Sequence, residues 1–387
     1  MISNIVKVAS LVINDKEIWA SDEEMGLIKV DLDKYSIELY KYTDNPMLKT
    51  PYSSIIARNQ KLFLIPYSGN NFTYFDLNIK EFKTIDVNFK NNVIYNNTHE
   101  KFRAYAKYRN NLFVFPWRFP VIVKIDMDTC KASIIDSWMK EFTSYISNPK
   151  LTLFRIDSIV INETVYLVTL QASVIFKFDM KTMEYEFLDI QGNFKGFRTI
   201  CKYEDGFYMS DYKNDLYKYF ESTGVIEKIC DSNEWGDNFF NRSFRVEDKI
   251  WFVPRYGCKL CYWDLINEQS GQIIIENTDN EISYTKLLNE NMLFLQTKFG
   301  SKYIYSFVQN KIERIDFDET GIVNEYREYL IRNRIWQGKN VVEGSAFIPD
   351  LVTLFDLLDC TKKEAYNGSK TNYGNEIYKN IGEQNES

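Results

Sequence analysis

Histidine is almost missing from this chain: among 387 residues there is one, His99. A metal centre or lyase site built from several histidines cannot be assembled from it. Proline (8) and glycine (16) are also sparse, which excludes collagen-like and low-complexity chains. Six cysteines (Cys130, Cys201, Cys230, Cys258, Cys261 and Cys360) in a chain of this length do not resemble a small secreted disulfide scaffold. Reduced thiols are therefore expected. There is no basic excess: the net charge is −7, so a footprint for phosphate backbones is lacking and nucleic acid is not an expected partner. No stretch approaches membrane-spanning length, and the N-terminus has no apolar core followed by a small-residue cleavage site. The expectation is no membrane insertion and a cytoplasmic location. A glycine-rich phosphate loop, a zinc-protease helix and a nucleophile elbow are all missing, so neither cofactor nor metal is expected.

Aromatic residues, by contrast, make up 16% of the chain and suit pleated, half-buried surfaces. They recur in order. Trp19, Phe63, Phe113, Tyr166, Tyr208, Trp251 and Phe294 each sit inside an apolar run, spaced by 44, 50, 53, 42, 43 and 43 residues. Three residues after each anchor comes a turn-compatible residue, then a second apolar run, which predicts a hairpin written seven times. The second run ends at Asp31, Asp76, Asp126, Asp179 and Asp264 in five repeats. A carboxylate there can accept backbone N–H groups of the following turn, a structural role.

Seven residues before each anchor stand Val12, Ile56, Ala106, Ile159, Cys201, Phe244 and Leu287, all apolar. Two residues earlier, on the same face of a strand, stand Ser10, Ser54, Ala104, Asp157, Thr199, Arg242 and Thr285. Five of these are small, as befits an innermost strand crowding its siblings around an axis. Four strands per unit with a period in the forties predict an all-β, seven-bladed β-propeller of four-stranded blades over residues 1–317. Each blade supplies the apolar wall that its neighbour needs. After Phe317 the repeat stops; "EYREYLIRNRIW" and "FIPDLVTLFDLLD" have helical spacing, predicting a C-terminal helical extension over 318–387 with a fraying tail.

On these repeats the chain resembles the seven-bladed propellers of the Kelch and Trp-Asp repeat type, at the level of architecture. The Kelch diglycine is missing, and "YWDL" at 262–265 is a single Trp-Asp without its histidine-containing partner motif. No functional residue of those families carries over, and the fold alone does not imply an activity.

Residues that break the repeat are the first candidates for function. Asp157 and Arg242 replace a small residue on the inner strand, either as a structural ion pair or as a grip on a carboxylate or sugar. Arg103, Arg155 and Arg198 lie one or two positions away, so a one-residue shift of register would exchange their roles. The loops between second and third strands share a face with the links between blades. That face carries Tyr67, Trp117, Arg118, Arg255 and Tyr256, with Trp138 and Trp235 in the longer links. Aromatics beside arginine suit binding of a protein, peptide or glycan; the alternative is that they are packing residues. His99 with Glu100 can do acid–base work only if its loop folds over the channel. Cys258 and Cys261 form one Cys-x-x-Cys without a second pair, which fits turn and core cysteines better than zinc. The leading expectation is a non-catalytic binding propeller. The alternatives are a lyase or hydrolase acting on a sugar or small polar substrate in the channel through Asp157, Arg242 and His99, and a propeller that serves as platform for the C-terminal helices.

Overall fold

The structure is a computed structural model that describes residues 6, 8–14, 17–22, 26–31, 36–42, 50–88, 100–146, 152–192, 194–235, 240–254, 257–275, 281–298, 300–315, 319 and 322. The propeller lies within one compact unit, Val6–Ile322. Both helical segments expected after Phe317 lie outside the described residues.

Seven four-stranded antiparallel sheets follow one another along the chain, each with its strands in sequence order. They span residues 8–41, 52–85, 102–135, 158–189, 197–230, 240–274 and 282–315, numbered here blades 1 to 7. The first strands of blades 1 to 5 each touch their counterpart in the next blade, that of blade 1 also touches that of blade 7, and blades 6 and 7 share a core of Trp251, Val253, Leu260, Leu293 and Leu295, so the ring closes. Second strands such as Leu62–Ile65 and Leu112–Phe115 are fully buried, because sheets cover them on both faces. Between blades 3 and 4 the core is largely aromatic, with Phe113, Phe115, Phe176 and Phe178 packed together.

The recurring aspartate has the turn role expected of it. Asp76, Asp126, Asp179 and Asp264 each accept backbone N–H groups two or three residues on, at 2.8–3.1 Å. These hydrogen bonds hold the carboxyls of Asp126, Asp179 and Asp264 below their ordinary range. The residue after each of the four donates its N–H to the neighbouring hairpin turn, as Leu77 does to Gln60 at 2.9 Å and Met127 to Asn110 at 2.8 Å. The aspartate thus joins two turns at the same end of the blade.

Ring closure needs a device of its own. Among the described residues every sheet is contiguous in sequence, so no described strand of one terminus completes a sheet of the other. A side chain does the joining instead: Gln296 of blade 7 bonds both peptide groups of Val8 in blade 1. Close by, the buried pair Lys302–Glu319 (3.1 Å) brings a carboxylate to the N–H of Val6 at 3.3 Å.

Candidate functional site

The innermost strands shape the site. In six blades the pairing of the first strand with the second skips one residue at the same place: Ala9, Ser53, Arg103, Arg198, Asn241 and Ser283. A residue skipped in this way is a β-bulge, which bends the strand and re-aims side chains. Two consecutive residues then reach the channel where strict alternation allows one. Arg103 with Ala104 and Asn241 with Arg242 line it together.

A second irregularity, between Leu287 and Asn289, moves the frame of blade 7 by one residue. Tyr284, not Thr285, therefore pairs opposite Gln296 and occupies the place that Ser10 has in blade 1. The small-residue expectation holds in four blades and is replaced by Asp157, Arg242 and Tyr284 in the others.

These positions stitch blade to blade. Ser10 Oγ accepts the N–H of Ile55 in blade 2 at 3.0 Å, and Tyr284 Oη accepts that of Leu11 in blade 1 at 3.1 Å. Asp157 does the same twice: its Oδ2 accepts the N–H of Ile200 in blade 5 at 3.0 Å, then the N–H and hydroxyl of Ser243 in blade 6 at 2.9 and 2.7 Å. Blades 4 and 6 thus meet over the inner strand of blade 5, helped by Arg155 Nη2 donating to Asn241 Oδ1 at 3.1 Å. Burial pushes the Asp157 carboxyl up to about 7, against the pull of its hydrogen bonds. Arg242 lowers it only through space and forms no ion pair with it, so the pair expected from opposite charges does not form.

Two adjoining chambers of about 220 and 280 Å³ occupy the channel. Arg103, Ile156, Arg242, Tyr284 and Thr285 line both. In the second, Lys286 Nζ of blade 7 donates to Tyr105 Oη of blade 3 at 3.3 Å. Blades 3 and 7 are not neighbours, so this contact crosses the channel.

At the mouth, Arg103 lies over the rings of Tyr67 (4.8 Å) and Trp117 (4.7 Å), and Arg155 over Trp117 at 5.0 Å. Stacking of this kind holds a guanidinium in place. Tyr67 Oη donates to Glu100, whose other oxygen pairs with Arg118 at 2.9 Å. Burial is the main cause that raises the Tyr67 phenol.

Of the residues singled out in sequence, Tyr67, Arg103, Trp117, Arg118 and Glu100 come together, while Asp157 and Arg242 sit within the channel. Trp117 is no open stacking platform: it is 4% exposed, enclosed between two guanidinium groups. Trp138 and Trp235 are packing residues, 0% and 1% exposed, set among Phe142, Phe154 and Phe176 and among Phe240 and Phe252. Arg198 occupies the bulge of blade 5 but lines neither chamber, because blades 4 and 6 close over that strand. His99, Arg255 and Tyr256 lie outside the described residues. Neither Cys258 nor Cys261 forms a disulfide, and the second is fully buried in the core. Sequence reasoning missed Asn241, Tyr105, Tyr284 and Lys286; the polar residues on either side of Thr285 were the available signal.

No protein family and no curated protein matches this chain in sequence. Similar solved structures include a catalytically inactive virginiamycin B lyase from Staphylococcus aureus with quinupristin (TM-score 0.57, 11% identity), covering 79% of this chain and 95% of the lyase. BamB from Moraxella catarrhalis is similar with TM-score 0.52 and 13% identity over 78% of this chain and 85% of BamB. The extracellular domain of a putative hybrid two-component system from B. thetaiotaomicron gives 0.54 and 15%, over 77% of this chain and 38% of that one. At such identities the likeness is one of fold, and it defines the protein as a seven-bladed β-propeller.

Proposed function

We propose that this protein is a non-catalytic interaction propeller, holding part of a protein, peptide or glycan at the channel mouth beside Tyr67, Arg103, Trp117 and Arg118. The observation that carries this reading is the Arg103–Trp117–Arg155 stack. Guanidinium groups fixed before the ligand arrives lose little conformational freedom on binding it. Arg118, with 43% of its side chain exposed, extends the cationic surface outward. Recovery of partners from a lysate and from a glycan array should fall sharply for an Arg103→Gln/Arg118→Ala variant. Unchanged recovery would count against this face.

One observation favours a lyase or hydrolase instead: a channel carboxyl that titrates near neutrality suits a general acid or base, and one protein of like fold is a lyase. Against it, the same Asp157 oxygen already holds three donors. Screening sugars and small polar substrates with wild type and Asp157→Asn separates the readings: turnover lost in the variant supports the enzyme, and turnover indifferent to it removes Asp157 from that role.

A further inference from the structure

The lining of the central channel carries more cationic than acidic side chains. Arg103, Arg242 and Lys286 line the two chambers, and among the described residues lining them Asp157 alone carries a carboxyl. That carboxyl is committed to the Ile200 and Ser243 donors. Lys286 is engaged with Tyr105 at 3.3 Å. Arg242 is half-buried, lines both chambers, and makes no hydrogen bond or ion pair among the described residues. Half-burying a guanidinium costs solvation that the through-space attraction of Asp157 offsets only in part, and a planar fork of N–H donors matches a carboxylate in two-point contact.

The rest of the wall narrows the kind of acid. It is rich in neutral hydrogen-bonding groups: Ser54, Ser283, Thr285, Asn241 and Tyr284. Tyr284 Oη accepts the N–H of Leu11, which leaves its proton for another acceptor. Of the five residues common to both chambers, Ile156 alone is apolar. Apolar residues such as Val253, Ile282, Phe244 and Leu293 also line the chambers, so a compact acid bearing several hydroxyls would satisfy the cations and hydroxyl groups while its C–H faces lie on these. The chambers together have the size of ordinary small-ligand sites.

We infer that the channel binds a sugar acid, its carboxylate held by Arg242 with Arg103 alongside and its hydroxyls by the serine, threonine, asparagine and tyrosine groups of the wall. The inference rests on the binding reading above and deepens it by naming the ligand class. The ligand reaches the site either as a free monosaccharide acid or as the terminal uronate of a glycan.

Calorimetric titration tests it with glucuronate, galacturonate, gluconate and a glucuronate-terminated disaccharide. The control needs no mutation: glucuronate methyl ester keeps the hydroxyls and removes the charge. At least one acid should bind, and that acid should bind about 10- to 150-fold more tightly than its ester, the range that charge-assisted hydrogen bonds supply. Arg242→Gln should lose a similar factor, while Arg242→Lys keeps part of the affinity. Binding of the disaccharide alone assigns the site to glycan ends; binding of the monosaccharide acids assigns it to free acids. Absence of binding by all four, an ester as tight as its acid, or a folded Arg242→Gln with wild-type affinity would each overturn the inference. If the acids fail while Arg103→Gln/Arg118→Ala still abolishes partner recovery, the sugar-acid assignment falls and the interaction reading stands; failure of both removes both.

Discussion

Gln296 in blade 7 treats Val8 in blade 1 as a strand would: its Oε1 accepts the Val8 N–H at 2.8 Å and its Nε2 donates to the Val8 carbonyl at 3.3 Å. The equivalent positions elsewhere are Ser21, Ile65, Phe115, Ser210 and Val253, so the amide is particular to the closing blade. It is 1% exposed, and no water can replace it at low cost.

Replacing Gln296 with Leu preserves much of the volume but strands both Val8 groups. Each buried orphan costs about 1–3 kcal/mol, so urea unfolding should show a loss of about 2–6 kcal/mol for the pair. Isoleucine at position 65, which already has an apolar neighbour in that place, provides the comparison: Ile65→Val should cost only about 0.5–1.5 kcal/mol. A loss at Gln296 no larger than that would mean that the ring does not depend on this amide.

Asp157 predicts a pH dependence whose sign follows from its environment. Its carboxyl is raised from 3.8 to about 7 in the folded protein, so between those values the native state binds more protons than the unfolded one. Stability contributed at this site is therefore highest below about pH 4, declines as pH rises to about 7, and is level above that. The full span is on the order of 4 kcal/mol. Asp157→Asn does not titrate and retains an oxygen for the three donors. The stability difference between wild type and this variant should shift in the variant's favour from pH 5 to pH 8; a difference constant across that range would refute the assignment.

Trp138 and Trp235 should matter to stability and not to recognition. Truncating a buried tryptophan to alanine costs about 3–5 kcal/mol, and Trp138 also donates its Nε1 to the Ile135 carbonyl at 3.1 Å. Chemical denaturation of Trp138→Ala should show that loss, whereas Trp138→Phe, folded at low temperature, should recover binding partners as well as wild type. Lost recovery in the folded Phe variant would return this residue to the binding surface.

The seven-fold plan was legible because burial between neighbouring blades forces the same apolar runs and the same turn aspartate into each unit. The site was legible only in part. Counting by twos along a strand places Ala104 or Arg103 in the channel, never both, and a bulge defeats that count by inserting a residue whose signature is not chemical: Ala9, Ser53 and Arg103 share no property. Blade 7 failed for a related reason, since the extra residue at Leu288 displaced Tyr284 by one and hid its equivalence to Ser10. The buried tryptophans were ambiguous because composition does not tell whether a long link between blades runs over the surface or folds back. In this protein the links carrying Trp138 and Trp235 fold back onto phenylalanine clusters.

Arg242 has no hydrogen-bond or ion-pair partner among the described residues, and difference density from crystals soaked in glucuronate tests most directly whether a carboxylate takes that place. The predicted result is a carboxylate in two-point contact with Arg242 at roughly 2.7–2.9 Å, with the sugar ring between the channel mouth and the Lys286–Tyr105 contact. An empty channel at saturating acid, or density confined to the outer rim of the blades, would contradict it.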